Sequence, residues 1–589
     1  MKIRMKNKVT KAIALTLILS FAVMYSCDDS FLEVPVTGQL DQSVLSGRLG
    51  IESTLISAYA QVNGRANRMA SPSNWVWGSI RGGDANKGTD PGDFSDINPI
   101  QRFEALPTTG VVNDRYVGSY EGVARCNAVM KLLAIAGPDV SDALKTSYAA
   151  QARFLRAHYY FELKRHFNNT PYVDETIDVG SGIEAVKNDV DLWPKIEADM
   201  EYAYQNLPAT QGQVGRVNKW AAAAYLAKIY MYQDKFTEAK TLFDLMINPD
   251  GTGKVVTSNN KTWGLVPYYA NIFKASNDNH EESIWAYQAA ANTGSVNNAN
   301  PEFDLNWPYN TGPDGPGNCC GFFQPSFELA NSFRTGADGL PLLDGSYNTG
   351  ANQMITDMGL ESADAFTPDA GNLDPRIDHS IGRRGIRYLD WIIFPGKAWI
   401  RNQPNGGPYA PKKYVYYRSD QGSLQDNSSW TPGYTALNYT IIRYADVLLM
   451  AAEAEIEVGD PNRAKAYVNA VRTRAANSVL MEGATPAANY LINVYPPADV
   501  WAKNDVTRNK VRFERKLELS GEGHRFYDLL RWGTELATIN AYLAYEAPKL
   551  PSGALVGAVF TANQDEYLPI PQGQIDLVGS TILTQNPGY

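Results

Sequence analysis

The chain predicts a mostly α protein, a platform of paired helices that carries a large loop-rich face with short strands. Two observations lead there. Apolar residues recur at helical spacing in several well-separated segments. Between those segments lie long stretches rich in Gly, Asn, Pro and aromatic residues, with no period of either helix or strand.

The helices can be placed one by one. Tyr148, Ala152, Leu155, Tyr159, Leu163 and Phe167 fall on one face of a helix over 148–167. Trp220 to Tyr232 is rich in Ala, the residue with the highest helix propensity. A turn at Asp234-Lys235 separates it from a second stripe, Phe236, Ala239, Phe243 and Met246. The same design returns near the C-terminus. Ile441, Ala445, Leu448, Ala452 and Ile456 share a face, Gly459 ends that helix, Asp460 caps the next and Pro461 suits its first turn. Ala464, Val468, Val471 and Ala475 form the following stripe. Small residues at the contacts let paired helices approach closely. Such pairs resemble tetratricopeptide units, which stack into one scaffold even when separated in sequence. The platform is expected over about 44–62, 114–247 and 440–545, with a loop-rich insertion over about 248–440. Within that insertion only short strands are expected, such as Ser283 to Gln288. A second irregular stretch runs from Gly64 to Thr109. Long loops on a rigid scaffold are where binding residues concentrate.

The N-terminus carries an address. Lys2, Arg4, Lys6, Lys8 and Lys11 precede an apolar run from Ala12 to Tyr25, followed by Ser26, Cys27, Asp28 and Asp29. A basic end before an apolar run is a secretory signal. The run is shorter than the roughly 20 apolar residues of a stable membrane span. Cys at the point of cleavage reads as a bacterial lipoprotein signal over 1–26. Cys27 would then be lipidated as the first residue of a single mature domain, 27–589, tethered to a membrane outside the cytoplasm. The formal net charge of −10 becomes more negative once the basic segment is removed. An acidic surface argues against nucleic acid as a partner, because phosphate backbones need clustered Lys and Arg. No later apolar run is long enough to span a bilayer. Of the other three cysteines, Cys126 lies in a helical run and is expected to be a small buried hydrophobe. Cys319 and Cys320 are adjacent in a Gly-rich loop, where an oxidising compartment would allow a vicinal disulfide. That spacing does not suit zinc.

Five segments, in order along the chain, carry a family resemblance. They are Cys27-Asp-Asp-Ser-Phe-Leu-Glu-Val-Pro35, Gln151-Ala-Arg-Phe-Leu-Arg-Ala-His-Tyr-Tyr-Phe-Glu-Leu163 and Ile442-Arg-Tyr-Ala-Asp-Val-Leu-Leu-Met-Ala-Ala-Glu-Ala454. Then come Glu514-Arg-Lys-Leu-Glu-Leu-Ser-Gly-Glu-Gly-His-Arg-Phe-Tyr-Asp-Leu-Leu-Arg-Trp532 and a C-terminal part with Tyr567-Leu-Pro-Ile-Pro571 and Gln585-Asn-Pro-Gly-Tyr589. Together they resemble the SusD/RagB family of Bacteroidetes outer-membrane lipoproteins. The resemblance implies a platform of four tetratricopeptide-like units. It also implies a surface-exposed, lipid-anchored protein that binds oligosaccharides without cleaving them and caps a SusC-like TonB-dependent transporter. Asp28 and Asp29 match the acidic residues that follow the lipidated Cys in surface-exported members.

A sugar presents apolar C–H faces and many hydroxyls, so its binder needs exposed flat rings and side chains that exchange hydrogen bonds. The segment Asn74 to Asn86 supplies Trp75, Trp77, Asp84 and Asn86; in an extended strand the two Trp residues would share a face. A middle loop supplies Trp307 and Tyr309 and leads to Cys319 and Cys320. The resemblance places both regions at the ligand face, which puts Trp77, Trp307, Tyr309 and the Cys pair first. Arg387, Tyr388 and Trp391 form a further cluster, and Asp84, Asn86, Asp90 and Asp93 are polar candidates of a second rank. The competing reading of every such ring is core packing, and it is the one expected for Trp193, Trp220, Trp285 and Trp532 in periodic segments.

No catalytic residue, metal or cofactor is expected, and the chain is not read as an enzyme. Glu514, Glu518 and Glu522 have the spacing of a carboxylate pair on one helix face. However, Arg512, Arg515, Lys516, Arg525 and Arg531 are interleaved with them, which points to ion pairing. His158, His166, His280, His379 and His524 form no zinc-protease pattern. Gly251 to Lys254 lacks the first glycine of a phosphate loop, and no Gly-x-Ser-x-Gly elbow occurs. Acidic loops such as Asp84 to Asp96 would permit calcium. The competing functions are a secreted polysaccharide hydrolase and a helical-repeat interaction scaffold.

Overall fold

The computed structural model describes residues 45–64, 69–178, 180, 182–300, 303, 305–317, 319–427 and 433–589. Cys27 and the signal segment lie outside the described residues. The helical frame consists of α1 (Arg48–Ala60), α2 (Gly110–Ala134), α3 (Asp142–Phe167), α4 (Trp193–Asn206), α5 (Lys219–Met231), α6 (Phe236–Met246), α7 (Tyr444–Val458), α8 (Pro461–Ala476), α9 (Asp505–Glu518), α10 (Arg525–Arg531) and α11 (Glu535–Glu546). Consecutive helices pack as pairs from α2 through α6, and α7 packs on α8. Contact between α6 and α7 joins the two halves of the platform across the whole insertion. Lys240 of α6 meets Glu455 of α7 at 3.2 Å, and Asp244 meets Arg463 of α8 at 2.7 Å.

Caps and small side chains explain where these helices start and how closely they lie. Ser141 accepts a hydrogen bond from the Leu144 amide at 3.3 Å. Asn218 accepts from the amides of Trp220 and Ala221 at 3.0 and 2.9 Å. Asp460 accepts from the Asn462 amide at 2.9 Å, as its position before Pro461 suggests. Ala221, Ala222, Ala223 and Ala224 are all buried. Four consecutive methyl groups let α5 be covered on every side by α4, α6 and a strand.

The strands are short and antiparallel: β1 (Ala85–Gly88) pairs with β3 (Phe322–Pro325), β2 (Ser283–Tyr287) with β6 (Tyr439–Arg443), and β4 (Ile381–Gly382) with β5 (Ala410–Pro411). The strand expected at Ser283 is therefore present. Ile441, assigned by periodicity to a helix face, instead lies in β6. Tyr439-Thr-Ile-Ile-Arg443 is aromatic and β-branched, which suits a pleated surface, and Tyr287 stands opposite Tyr439. The helix begins one residue after the strand ends.

Aromatic residues of the insertion have a packing role. Trp307, Tyr388, Trp391, Phe394, Trp399, Ile400, Ala410, Val415 and Tyr416 form a small apolar core of their own, apart from the main one. Irregular backbone cannot bury a continuous stripe, so large rings from distant loop positions meet edge to face instead. Trp307 meets Tyr416 at 5.1 Å between centroids, and Tyr388 meets Trp399 at 5.8 Å.

The carboxylates of the C-terminal motif are buried ion-pair members. Glu514 pairs with Arg376 at 2.7 Å and Arg472 at 2.9 Å. Glu518 pairs with Arg376, Arg443 and Arg474, and Glu522 with Lys413 and Arg443. Their counter-ions thus come from other elements rather than from the interleaved cations. Arg515 meets Asp446 and Asp528, Lys516 meets Glu328, and Arg531 meets Glu453 and Asp528. His158 lies buried 2.9 Å from the Tyr225 hydroxyl, and burial lowers its pKa to about 3, so the ring is neutral. Among the described residues no helix is long and apolar enough to cross a membrane, and no group of three or more His, Cys, Asp or Glu could hold a metal ion.

Candidate functional site

Most of the rings chosen from the sequence are inside. Trp75, Trp77, Trp307 and Trp391 are 3, 2, 1 and 2 % exposed, which overturns the expectation of open stacking platforms. Residues Trp75–Ile80 form a turn of π-helix rather than an extended strand, with the Ser79 amide bonding back to the Asn74 carbonyl at 3.3 Å. Close packing drives this. A Cβ on Gly78 would lie 1.9 Å from the Gly523 carbonyl oxygen, so two backbones touch there. Trp77 donates its indole N–H to the Met69 carbonyl at 2.8 Å, and Trp75 meets Phe322 and Phe323 edge to face.

Asp84 and Asn86 are also corrected. Both are buried, and both tie loops together rather than facing a ligand. Asp84 accepts from Ser79 Oγ at 3.1 Å and the Gly521 amide at 3.0 Å, and burial raises its pKa to about 6. Asn86 donates to Glu546 at 2.9 Å and accepts from the Tyr542 hydroxyl at 3.2 Å. Trp391 donates to the Tyr416 carbonyl at 3.3 Å, and the neighbouring Tyr388 is fully buried. Arg387 is half-exposed but engaged in a two-pronged pair with Glu482 at 2.8 and 2.5 Å.

What remains at the surface is a small patch. Cys319 and Cys320 are joined as a vicinal disulfide, with Cys319 half-buried and Cys320 buried. Tyr309 is half-buried with the Arg401 guanidinium 5.1 Å from its ring centroid. Arg401 takes up both Asp90, at 2.7 Å, and Asp93. Lys87 donates to the carbonyls of Asp90, Pro91 and Asp93, and burial lowers its pKa to about 8. Asp90 and Asp93 are therefore already paired with Arg401.

The larger opening lies elsewhere, in a cleft of about 380 Å³ between the end of α1, the 213–216 loop and β2 with the segment after it. Tyr59, Trp285 and Tyr287 supply rings, Ile56 (51 % exposed) supplies apolar surface, and Gln213, Gln288, Asn297 and Asn298 supply amides. The rings are held rigidly. Tyr59 donates to Gln151 at 2.9 Å and accepts from the Val217 amide at 3.2 Å. Tyr287 accepts from Asn63 at 3.2 Å and donates to the Ala299 carbonyl at 3.3 Å. Trp285, expected in the core, is 4 % exposed and packs on Phe154 and His158 while lining the cleft floor. Arg216 at one wall is held by Glu52 at 2.7 Å and Gln151 at 3.2 Å. Rings below and amides above form a surface that can take an apolar C–H face and exchange hydrogen bonds with hydroxyls.

Sequence reasoning missed this cleft because its rings sit in segments that look like core. One signal was there: Ala289, Ala290 and Ala291, followed by Asn, Thr, Gly and Ser, cannot fill the space beside β2.

Comparison with known proteins agrees with the architecture. A model described as "Starch-binding associating with outer membrane" matches residues 92–231. SusD-like protein P2 of Formosa agariphila is 26 % identical over 563 residues, covering 91 % of this chain and 93 % of that protein. A laminarin-binding SusD-like protein of known structure superposes with a TM-score of 0.63 at 22 % identity, covering 92 % of this chain and 100 % of that one. Surface glycan-binding protein A of Bacteroides thetaiotaomicron, solved with laminarihexaose, gives 0.60 at 22 % identity, covering 92 and 99 %. The model of the SusD family matches residues 281–589, more than half of the chain, and the chain belongs to that family.

Proposed function

We propose that this protein captures oligosaccharides at the cell surface, anchored to the outer membrane through lipidated Cys27, and hands them to a SusC-like TonB-dependent transporter. The observation that carries the binding part is the ring-and-amide cleft between α1 and β2, on a scaffold shared with proteins described as binding laminarin and glycans. The match to a family described as associating with the outer membrane, and the basic-apolar-Cys order of the N-terminus, support the location. No reaction is assigned: Glu514, Glu518 and Glu522 are buried and paired with Arg and Lys side chains, out of reach of a substrate.

The test is retention in native gels containing a panel of neutral glycans, laminarin among them. Ala60→Trp and Ala290→Trp place a bulky ring into the cleft from exposed positions, sparing the core. Retention by the wild type, lost in both variants at unchanged thermal stability, is the expected result. Equal retention in all three removes the cleft as the site, and release of reducing sugar by the wild type removes the non-enzymatic reading.

A further inference from the structure

A second, smaller cleft of about 180 Å³ opens between α6, α7, α9 and α10, within the helical platform. Its charge pairing is uneven. Arg531 is matched by Glu453, which accepts from both of its terminal nitrogens at 2.7 Å. Arg508 is matched by Glu457 at 2.6 and 3.0 Å. Arg512, one turn beyond Arg508, has no hydrogen-bond or ion-pair partner among the described residues, although it is half-buried and lies between these two like charges. Burial disfavours the Arg512 charge more than the nearby Glu453 and Glu457, each already engaged by another arginine, favour it, and an entering anion relieves that cost.

Trp532 forms part of the same wall. The guanidinium carbons of Arg512, Arg531 and Arg525 lie 5.1, 5.0 and 5.9 Å from its ring centroid. Arg525 forms no close ion pair among the described residues, and its charge acts on the buried Asp84 and Glu328. The indole N–H is already donated to Glu453 at 2.9 Å, so Trp532 offers the cleft its ring and no donor. Phe236 and Ile456 add apolar surface. The volume corresponds to about six water molecules at about 30 Å³ each, enough for one sugar ring and too little for a chain.

We propose that this cleft binds a single acidic sugar unit, its carboxylate or sulfate clamped by the planar fork of Arg512 and its ring laid against Trp532. The choice of a sugar as carrier rests on the glycan-capture reading; the oxyanion follows from Arg512 alone. Asp234, exposed at the rim without an ion pair among the described residues, opposes the ligand and sets a limit on affinity.

Calorimetric titration of the mature protein with glucuronate, glucose 6-sulfate, glucose and inorganic sulfate decides the matter. The acidic sugars are expected to bind about tenfold or more tighter than glucose, more weakly as salt rises, and the tighter of the two identifies carboxylate or sulfate as the preferred group. Arg512→Gln should abolish the preference, and Asp234→Asn should strengthen binding. Ala60→Trp, which blocks the other cleft, should leave it unchanged, so this site and the glycan-capture reading fail separately. Binding of both acidic sugars no tighter than glucose, or unaltered in Arg512→Gln, overturns the site. Inorganic sulfate bound as tightly as the sulfated sugar overturns the assignment of a sugar.

Discussion

Arg443 holds Glu518 by two hydrogen bonds, from one terminal nitrogen to the carboxylate at 2.6 Å and from the other to the main-chain carbonyl at 2.8 Å. The same side chain also reaches Glu282 at 2.6 Å and Glu522 at 2.7 Å. It stands at the end of β6, immediately before α7, so one guanidinium fastens the insertion's last strand to α9 and to the turn beyond it. Burial pushes the Glu518 and Glu522 carboxyls up, but the neighbouring cations outweigh it and hold both below the usual range.

Removing that guanidinium should unfold the junction rather than trim it. Arg443→Met leaves Glu282, Glu518 and Glu522 buried with fewer counter-charges, and breaking a buried pair in this way costs about 3–5 kcal/mol. Urea unfolding should show the loss. A change below about 1 kcal/mol would mean that Arg376, Arg474 and Lys413 suffice without it.

Trp307→Ala tests the second apolar core. The ring is 1 % exposed and meets Tyr416, so truncation should cost about 3–5 kcal/mol and expose the insertion to protease, with Trp307→Phe costing less. Glycan retention should fall only as far as the folded fraction falls. A variant of wild-type stability with weakened retention would restore Trp307 to the ligand face.

Glu546 gives a pH signature. Burial raises its pKa to about 7 while it accepts from Asn86 and from the Phe327 amide. A carboxyl raised in the folded state contributes fully below its unfolded value of about 4.3 and loses that contribution as pH rises through about 7. Glu546→Gln cannot titrate. It should be the less stable protein at pH 5, having exchanged an acceptor for an amide, and should gain about 2 kcal/mol relative to the wild type by pH 9. Unfolding curves at the two pH values provide the check, and a constant difference between the proteins would show that Glu546 is ionised throughout.

The platform was legible because its signals are local. Stripes such as Ala464, Val468 and Val471, the Asp460 cap and the alanines of α5 act within one or two turns, and each lies where its spacing put it. The ligand face was not, because a ring in an irregular segment has no periodic mark of which way it faces. Trp77 and Trp307 read the same whether they stack on a sugar or pack against protein, and tertiary contacts such as that of Trp307 with Tyr416, about a hundred positions away, decided it. The counter-ions of Glu514 and Glu518 were hidden for the same reason: Arg376, Arg443, Arg472 and Arg474 come from distant parts of the chain.

The chain leaves the platform at the end of α6 and rejoins it at α7, and those two helices lie side by side. Nearly two hundred residues thus depart from and return to neighbouring points, like a drawer set into a fixed cabinet. Closing a longer excursion adds little entropy, since the term grows only with the logarithm of length. The outer loops of this segment can therefore change length at little cost so long as Glu282, Arg376 and Lys413, which pair with buried charges of the frame, keep their places, and a recognition surface can be renewed while those clamps stay as they were.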